Sequence, residues 1–134
     1  MPKTVSEIRP GDEFQVERTC TAYQPLYYAA ASGDFNTIHI DAEVGRRAGL
    51  GGNILHGMCT MAWAVEAAVS FVGDSTRITR TKVRFTRPVL VNDTITFRGK
   101  VTVVENGRMI AEISAVNQRG EDVLRNATVE ARLN

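Results

Sequence analysis

The stretch His56-Gly57-Met58-Cys59-Thr60-Met61-Ala62-Trp63-Ala64-Val65-Glu66-Ala67-Ala68-Val69-Ser70-Phe71 decides the fold. Glu66 is the only charged side chain in its 16 residues. A helix apolar on nearly every face has to be buried on nearly every face. It falls short of the ~20 residues a membrane-spanning helix needs, so protein has to surround it.

The residues that follow can supply that cover. After Gly73-Asp74, Ile78 to Thr86 alternates in polarity and is ended by Pro88. Asp93 to Val104, Met109 to Asn117 and Asp122 to Leu133 read as further strands. Asn106-Gly107 is a hairpin turn signal, since both residues tolerate positive φ. Arg119-Gly120 separates the last two strands. Strands about ten residues long can curl, and an antiparallel meander of them predicts a sheet wrapped around the helix.

Upstream, Ile8-Arg9-Pro10-Gly11-Asp12 reads as a turn and Glu13 to Thr19 as a strand. Thr21 with Gln24 three residues on predicts a capping box, with Pro25 in the first helical turn. That helix runs through Tyr28 and Ala31 to Gly33. A second, short helix is predicted from Asp41 to Gly49. Helices first and strands afterwards make an α+β chain.

Composition sets the outer bounds. A length of 134 residues suits one domain, residues 1–134, able to bury its own core. A net charge of +1 gives no reason to expect nucleic acid or a membrane surface as partner. Cys20 and Cys59 show no CxxC spacing and are expected to be buried free thiols in a reducing compartment. Met1 to Asp12 is polar, unlike a secretory leader. A cytoplasmic protein without membrane spans is expected.

The chain holds two histidines, His39 and His56, each in a Gly-flanked polar cluster beside a helix. Ser32-Gly33-Asp34-Phe35-Asn36-Thr37-Ile38-His39-Ile40-Asp41 packs Asp34, Asn36 and His39 into six residues after a helix end. Irregular backbone there would let Asp34 and His39 converge on one water and divide acid and base roles. The same residues also suit plain structure: a turn cap for Asp34, an Asx-turn for Asn36 and a buried polar role for His39. The second cluster, Gly51-Gly52-Asn53-Ile54-Leu55-His56-Gly57-Met58, opens the apolar helix. Free N–H groups and a partial positive charge at that helix start would suit an oxyanion, and Gly57 allows close approach. Tight helix packing would explain Gly57 equally well.

Together the clusters resemble the MaoC-like family, which includes (R)-specific enoyl-CoA hydratases and (3R)-hydroxyacyl-ACP dehydratases. The family pattern Gly-Asp-x-Asn-Pro-(aliphatic)-His-x-Asp is matched by Gly33-Asp34-Phe35-Asn36-Thr37-Ile38-His39-Ile40-Asp41. His56-Gly57-Met58 resembles the start of the family's central helix. Arg84-Phe85-Thr86-Arg87-Pro88-Val89 and Asn92-Asp93-Thr94 look like its next strand and turn. Thr37 replaces the usual Pro, and Ala62 stands where some members carry a serine that supports the aspartate.

The resemblance implies a single hot-dog fold and reversible hydration of trans-2-enoyl thioesters to (3R)-3-hydroxyacyl thioesters. Asp34 and His39 would be catalytic. Gly57, Asn36 and His56 would bind substrate or its oxyanion. It implies no metal and no redox cofactor; CoA or acyl-carrier-protein pantetheine would carry the acyl chain. A homodimer is expected, with the catalytic subunit of a heterodimeric dehydratase as the alternative. A hot-dog acyl thioesterase would leave the Asp34–His39 spacing unexplained. A non-catalytic subunit would be expected to lack that pair. Phe35, Trp63 and Phe71 are candidates for an acyl tunnel, though such residues more often belong to a core.

Overall fold

The computed structural model describes Lys3 and residues 7–133. The segment Met1 to Asp12 therefore lies partly outside the described residues. Strand β1 (Glu13–Thr19) leads into helix α1 (Gln24–Ser32), a single turn α2 (Thr37–Ile40), α3 (Ala42–Arg47) and the long α4 (Gly57–Val72). A 3-10 turn, Ser75–Arg77, precedes β2 (Ile78–Phe85), β3 (Thr94–Glu105), β4 (Arg108–Val116) and β5 (Asp122–Arg132).

The five strands form one antiparallel sheet in the order β1-β3-β4-β5-β2, so β1 and β2 are its edges. Asn106 and Gly107 close the β3–β4 hairpin at φ 51° and 71°, the left-handed turn expected for that pair. Strand alternation turns Ile95, Phe97 and Val101 of β3 and Met109, Ala111 and Ala115 of β4 to one face, where they are fully buried. Helix α4 lies on that face and touches all five strands. Its Cys59, Trp63, Ala64, Ala67 and Ala68 enter the core. Each large core side chain buried this way contributes about 1.5–3 kcal/mol.

One contact ties the helix end to the sheet edge. Gly99 on β3 lies directly opposite Phe14 on β1. A Cβ at Gly99 would fall 2.0 Å from the Phe14 ring, so only glycine admits that ring. Phe14 in turn stacks on Phe71 of α4 at 4.7 Å between ring centroids. On the same edge, Arg18 of β1 pairs with Glu66 of α4.

Three expectations need correction. Helix α4 is not covered all round: Met58 is 57% exposed, and Ala62 and Glu66 continue that open stripe one turn apart. The Thr21–Gln24 capping box does not form. Tyr23 holds the cap position of α1, Gln24 N–H bonds the Thr21 carbonyl at 3.1 Å, and the Gln24 amide reaches Cys59 Sγ at 3.6 Å instead of turning back. Finally, residues 37–40 form a helical turn where irregular backbone was expected. The short helix after Asp41 is present, with Asp41 capping it through bonds from Glu43 and Val44 N–H. It ends at Arg47, ahead of Gly49. Cys20 and Cys59 are free and buried, as expected.

Candidate active site

The site begins where α1 stops. Gly33 takes φ 78° and its N–H closes on the Ala29 carbonyl at 2.8 Å, which turns the chain sharply. Ser32 Oγ accepts from Asp34 N–H at 3.2 Å. Asp34 Oδ1 then accepts from Asn36 N–H, and Asn36 Oδ1 from Ile38 N–H, both at 3.2 Å. These consecutive Asx bonds start α2, and α2 carries His39 inward.

A second loop holds His39 from the other side. Ile54 N–H bonds the Ile38 carbonyl at 3.0 Å, and Asn53 Nδ2 donates to the His39 carbonyl at 2.9 Å. The Ile54 carbonyl lies 2.8 Å from His39 Nδ1. A carbonyl only accepts, so Nδ1 carries the proton and Nε2 presents a lone pair in the neutral ring. Gly45 of α3 lets this loop come close: a Cβ there would overlap the Gly52 carbonyl oxygen, 1.8 Å away.

His39 Nε2 faces Asp34 Oδ2 at 3.8 Å. That gap is too long for a direct hydrogen bond but fits one water bonded to both atoms at about 2.8 Å each. The His39 side chain is 10% exposed and that of Asp34 is 53% exposed. A buried nitrogen base and a half-open carboxylate thus address the same point.

A cavity of about 310 Å³ opens beside His39. Ile54, Leu55, Gly57, Thr60, Phe85 and Val89 form much of its wall, with Arg87 and Pro88 alongside. Thr60 is buried there. Gly57 starts α4, and its N–H meets no acceptor among the described residues, while the N–H groups of Cys59 and Thr60 already bond the His56 carbonyl. The Phe85 ring leans on Gly57: a Cβ at Gly57 would sit 3.2–3.4 Å from it. Phe85 itself is 49% exposed.

The structure therefore brings His39 and Gly57 to the cavity wall, with the Asp34 carboxylate 3.8 Å from His39 Nε2 but not itself on that wall. It does not place Asn36 or His56 on the cavity wall. Asn36 caps α2, and His56 is buried behind His39. Trp63 and Phe71 belong to the core, against Phe97 and Phe14, and Phe35 points to the surface; none of the three lines the cavity. Phe85 was visible in sequence only as part of a strand signature, and the Ile54 carbonyl carries no side-chain signal at all. Ala62 lies on the exposed stripe of α4.

Asp34, His39 and His56 offer ligand atoms within 4.8 Å of one another, the spacing of a candidate metal cluster. The two imidazoles, however, stack at 3.8 Å with only 22° between their planes. Metals bind imidazole in the ring plane at about 2.0–2.1 Å, and two nearly parallel planes do not meet at that range. The donor set does not fit a shared ion.

Residues 5–122 match the model of the MaoC like domain. The chain is 36% identical over 105 residues to the fatty acid synthase beta subunit hexB of Dothistroma septosporum, covering 77% of this chain and 6% of that protein. It is 37% identical over 81 residues to the peroxisomal enoyl-CoA hydratase 2 of Arabidopsis thaliana, covering 59% of this chain and 26% of that one. The chain thus spans only a fraction of the curated relatives' length. Among solved structures, the R-hydratase PhaJ1 from Pseudomonas aeruginosa superposes with a TM-score of 0.90 at 23% identity, over 98% of this chain and 86% of that one. The ChsH1-ChsH2 complex from Mycobacterium tuberculosis gives a TM-score of 0.86 at 23% identity, over 94% of this chain and 98% of the matched one. The sheet and its central helix are a hot-dog fold. The chain belongs to the MaoC-like dehydratase family, a family of hydro-lyases.

No helix among the described residues is long and apolar enough to cross a membrane.

Proposed function

We propose that this chain catalyses the reversible addition of water to trans-2-enoyl thioesters, forming (3R)-3-hydroxyacyl thioesters. One observation carries the proposal: His39 Nε2 and the Asp34 carboxylate stand one water's width apart, and His39 shares a cavity wall with Gly57. A water held by both is aimed into the cavity. As its oxygen bonds C3 of the enoyl group, the pair takes its proton. Electron density moves to the thioester oxygen, where the Gly57 N–H and the α4 helix start stabilise the enolate. The pair then returns a proton to C2 from the same face. The acid and base roles are assigned to Asp34 and His39 as a pair, because both address the same water.

Asn36 acts through α2, which it caps, by fixing where His39 sits. The cavity is too small to enclose a long acyl carrier, so CoA or carrier-protein pantetheine would enter past Phe85 and Arg87. The chemistry needs no metal and no redox cofactor. A thioesterase would aim the same water at the carbonyl carbon instead of C3, and the products distinguish the two.

A homodimer accompanies this proposal. Tyr23, Leu26 and Tyr27 of α1, Phe35, Met58 of α4 and Phe85 are all exposed. We assign these exposed apolar side chains to a face that pairs with a second copy. The likeness to one chain of the ChsH1-ChsH2 complex keeps a heterodimer as the second reading. The test is the purified chain with crotonyl-CoA. Hydration that disappears in Asp34→Asn supports the proposal; release of free CoA without hydration would overturn it.

A further inference from the structure

We propose that His56 is a positioning residue that holds both members of the catalytic pair at once; this rests on the hydratase reading of Asp34 and His39. His56 is 2% exposed. Its Nε2 lies 2.9 Å from the backbone carbonyl oxygen of Asp34, so Nε2 carries the proton and donates. Its ring stacks on the His39 ring at 3.8 Å. Tyr28 lies against it at 4.7 Å. One side chain therefore anchors the backbone of the carboxylate residue and forms the plate on which the imidazole base rests.

The remaining ring nitrogen argues against plain packing. His56 Nδ1 is buried and has no hydrogen-bond partner among the described residues. An acceptor without a donor is a penalty that an apolar side chain of the same shape would avoid. An imidazole at this position is justified by the bond it gives through Nε2. The two rings hold opposite tautomers, His39 protonated on Nδ1 and His56 on Nε2, and each is set by a backbone carbonyl. Those carbonyls come from the two loops that form the site, so His56 reads the loop of Asp34 while His39 reads the loop of Ile54.

The test uses the full chain and two complementary variants. His56→Gln can keep the donor and loses the aromatic plate; His56→Phe keeps the plate and loses the donor. Nitrogen-15 NMR of the wild type is expected to show one neutral tautomer for each ring, Nδ1–H for His39 and Nε2–H for His56. In His56→Gln the His39 ring is expected to lose its single, sharp tautomer signal. In His56→Phe that signal stays, while the amide signals of Asp34 and Phe35 move. Crotonyl-CoA kcat should fall about 10–100-fold in each variant with KM little changed, the scale expected when reacting groups are misplaced by about an ångström. A wild-type His56 protonated on Nδ1 would overturn the proposal. So would variants with lower thermal stability but unchanged kcat and unchanged His39 signals. The NMR outcomes stand even if the chain turns over no enoyl thioester, so failure of the function and failure of the positioning role are separable.

Discussion

Asp34 Oδ2 and His39 Nε2 face each other across 3.8 Å, and each residue is fixed by its other polar atom: Oδ1 by Asn36 N–H, Nδ1 by the Ile54 carbonyl. Each atom left over points at the gap between them. Replacing either residue should lower kcat for enoyl-thioester hydration by about 10²–10⁴-fold, the usual loss for a general acid or base. Asp34→Asn keeps the shape and the turn, and His39→Ala removes the ring. Circular dichroism and Tm should stay close to wild type for Asp34→Asn, since Asp34 is half exposed. Near-normal turnover in a folded variant contradicts the assignment.

Gly57 is bounded by the Phe85 ring. Gly57→Ala places a methyl 3.2–3.4 Å from that ring, and the half-exposed ring has room to swing aside. We expect a modest loss for Gly57→Ala and about a 10²-fold loss in kcat/KM for Gly57→Val, whose branches crowd the carbonyl position. Adding Phe85→Ala to Gly57→Ala should restore part of the loss. Steady-state kinetics on the three variants check this; equal activity for Val and wild type means no carbonyl approaches Gly57.

Much of this arrangement was legible in the sequence, and the failures have physical causes. The run from His56 to Phe71 identified α4 because a helix so poor in charge has to bury most of its surface. Asn106-Gly107 identified a hairpin because its two positive φ angles suit few other pairs. The Asp34–His39 pair was legible from its motif. The separation of His39 from His56 was not: both sit in similar glycine-flanked clusters, and only tertiary packing puts one on the cavity wall and the other behind it. Thr21 failed as a cap because a backbone turn to Gln24 used the same spacing. The open stripe of Met58 and Ala62 was hidden because apolarity shows that a face wants cover, not whether its own chain provides it.

Asp93 sits at the start of β3 in a buried network. Burial pushes its carboxyl up, but bonds from Arg119, Gln118 and the Leu90 N–H outweigh this and hold it below the ordinary carboxylate range. A folded-state value below the unfolded one stabilises the fold at pH above the unfolded value of about 3.9. That contribution is lost as pH falls through the lower folded value. Asp93→Asn should therefore cost about 1.5–3 kcal/mol at neutral pH, the range for hydrogen bonds to a charged group. The deficit should shrink in strong acid, where wild-type Asp93 is also neutral. Urea unfolding at neutral and acidic pH measures both; a pH-independent deficit contradicts the charge-based origin.

The two thiols should be inert in the native protein. Burial pushes Cys20 up to about 12 and raises Cys59 as well. Thiolate is the reactive form, so labelling with a disulfide reagent at mildly alkaline pH should be slow for both and immediate after unfolding. Rapid labelling of the native chain would show that the core around α4 opens.

The exposed apolar set of α1, Phe35, Met58 and Phe85 predicts a dimer in light scattering of the isolated chain, with two active sites. Met58→Asp on the open stripe of α4 should weaken it. A stable, active monomer contradicts the need for a partner. An inactive chain rescued by a second hot-dog protein favours the heterodimer.

The most direct measurement is the stereochemical outcome of the reaction itself. The purified chain is mixed with crotonyl-CoA and with crotonyl-pantetheine, and the product is resolved by chiral chromatography. Water held between Asp34 and His39 should add to C3 and give the (3R)-3-hydroxybutyryl thioester, reversibly, with activity abolished in Asp34→Asn. A folded chain that gives the (3S) product, that hydrolyses the thioester instead, or that hydrates equally well as Asp34→Asn would contradict the proposed site.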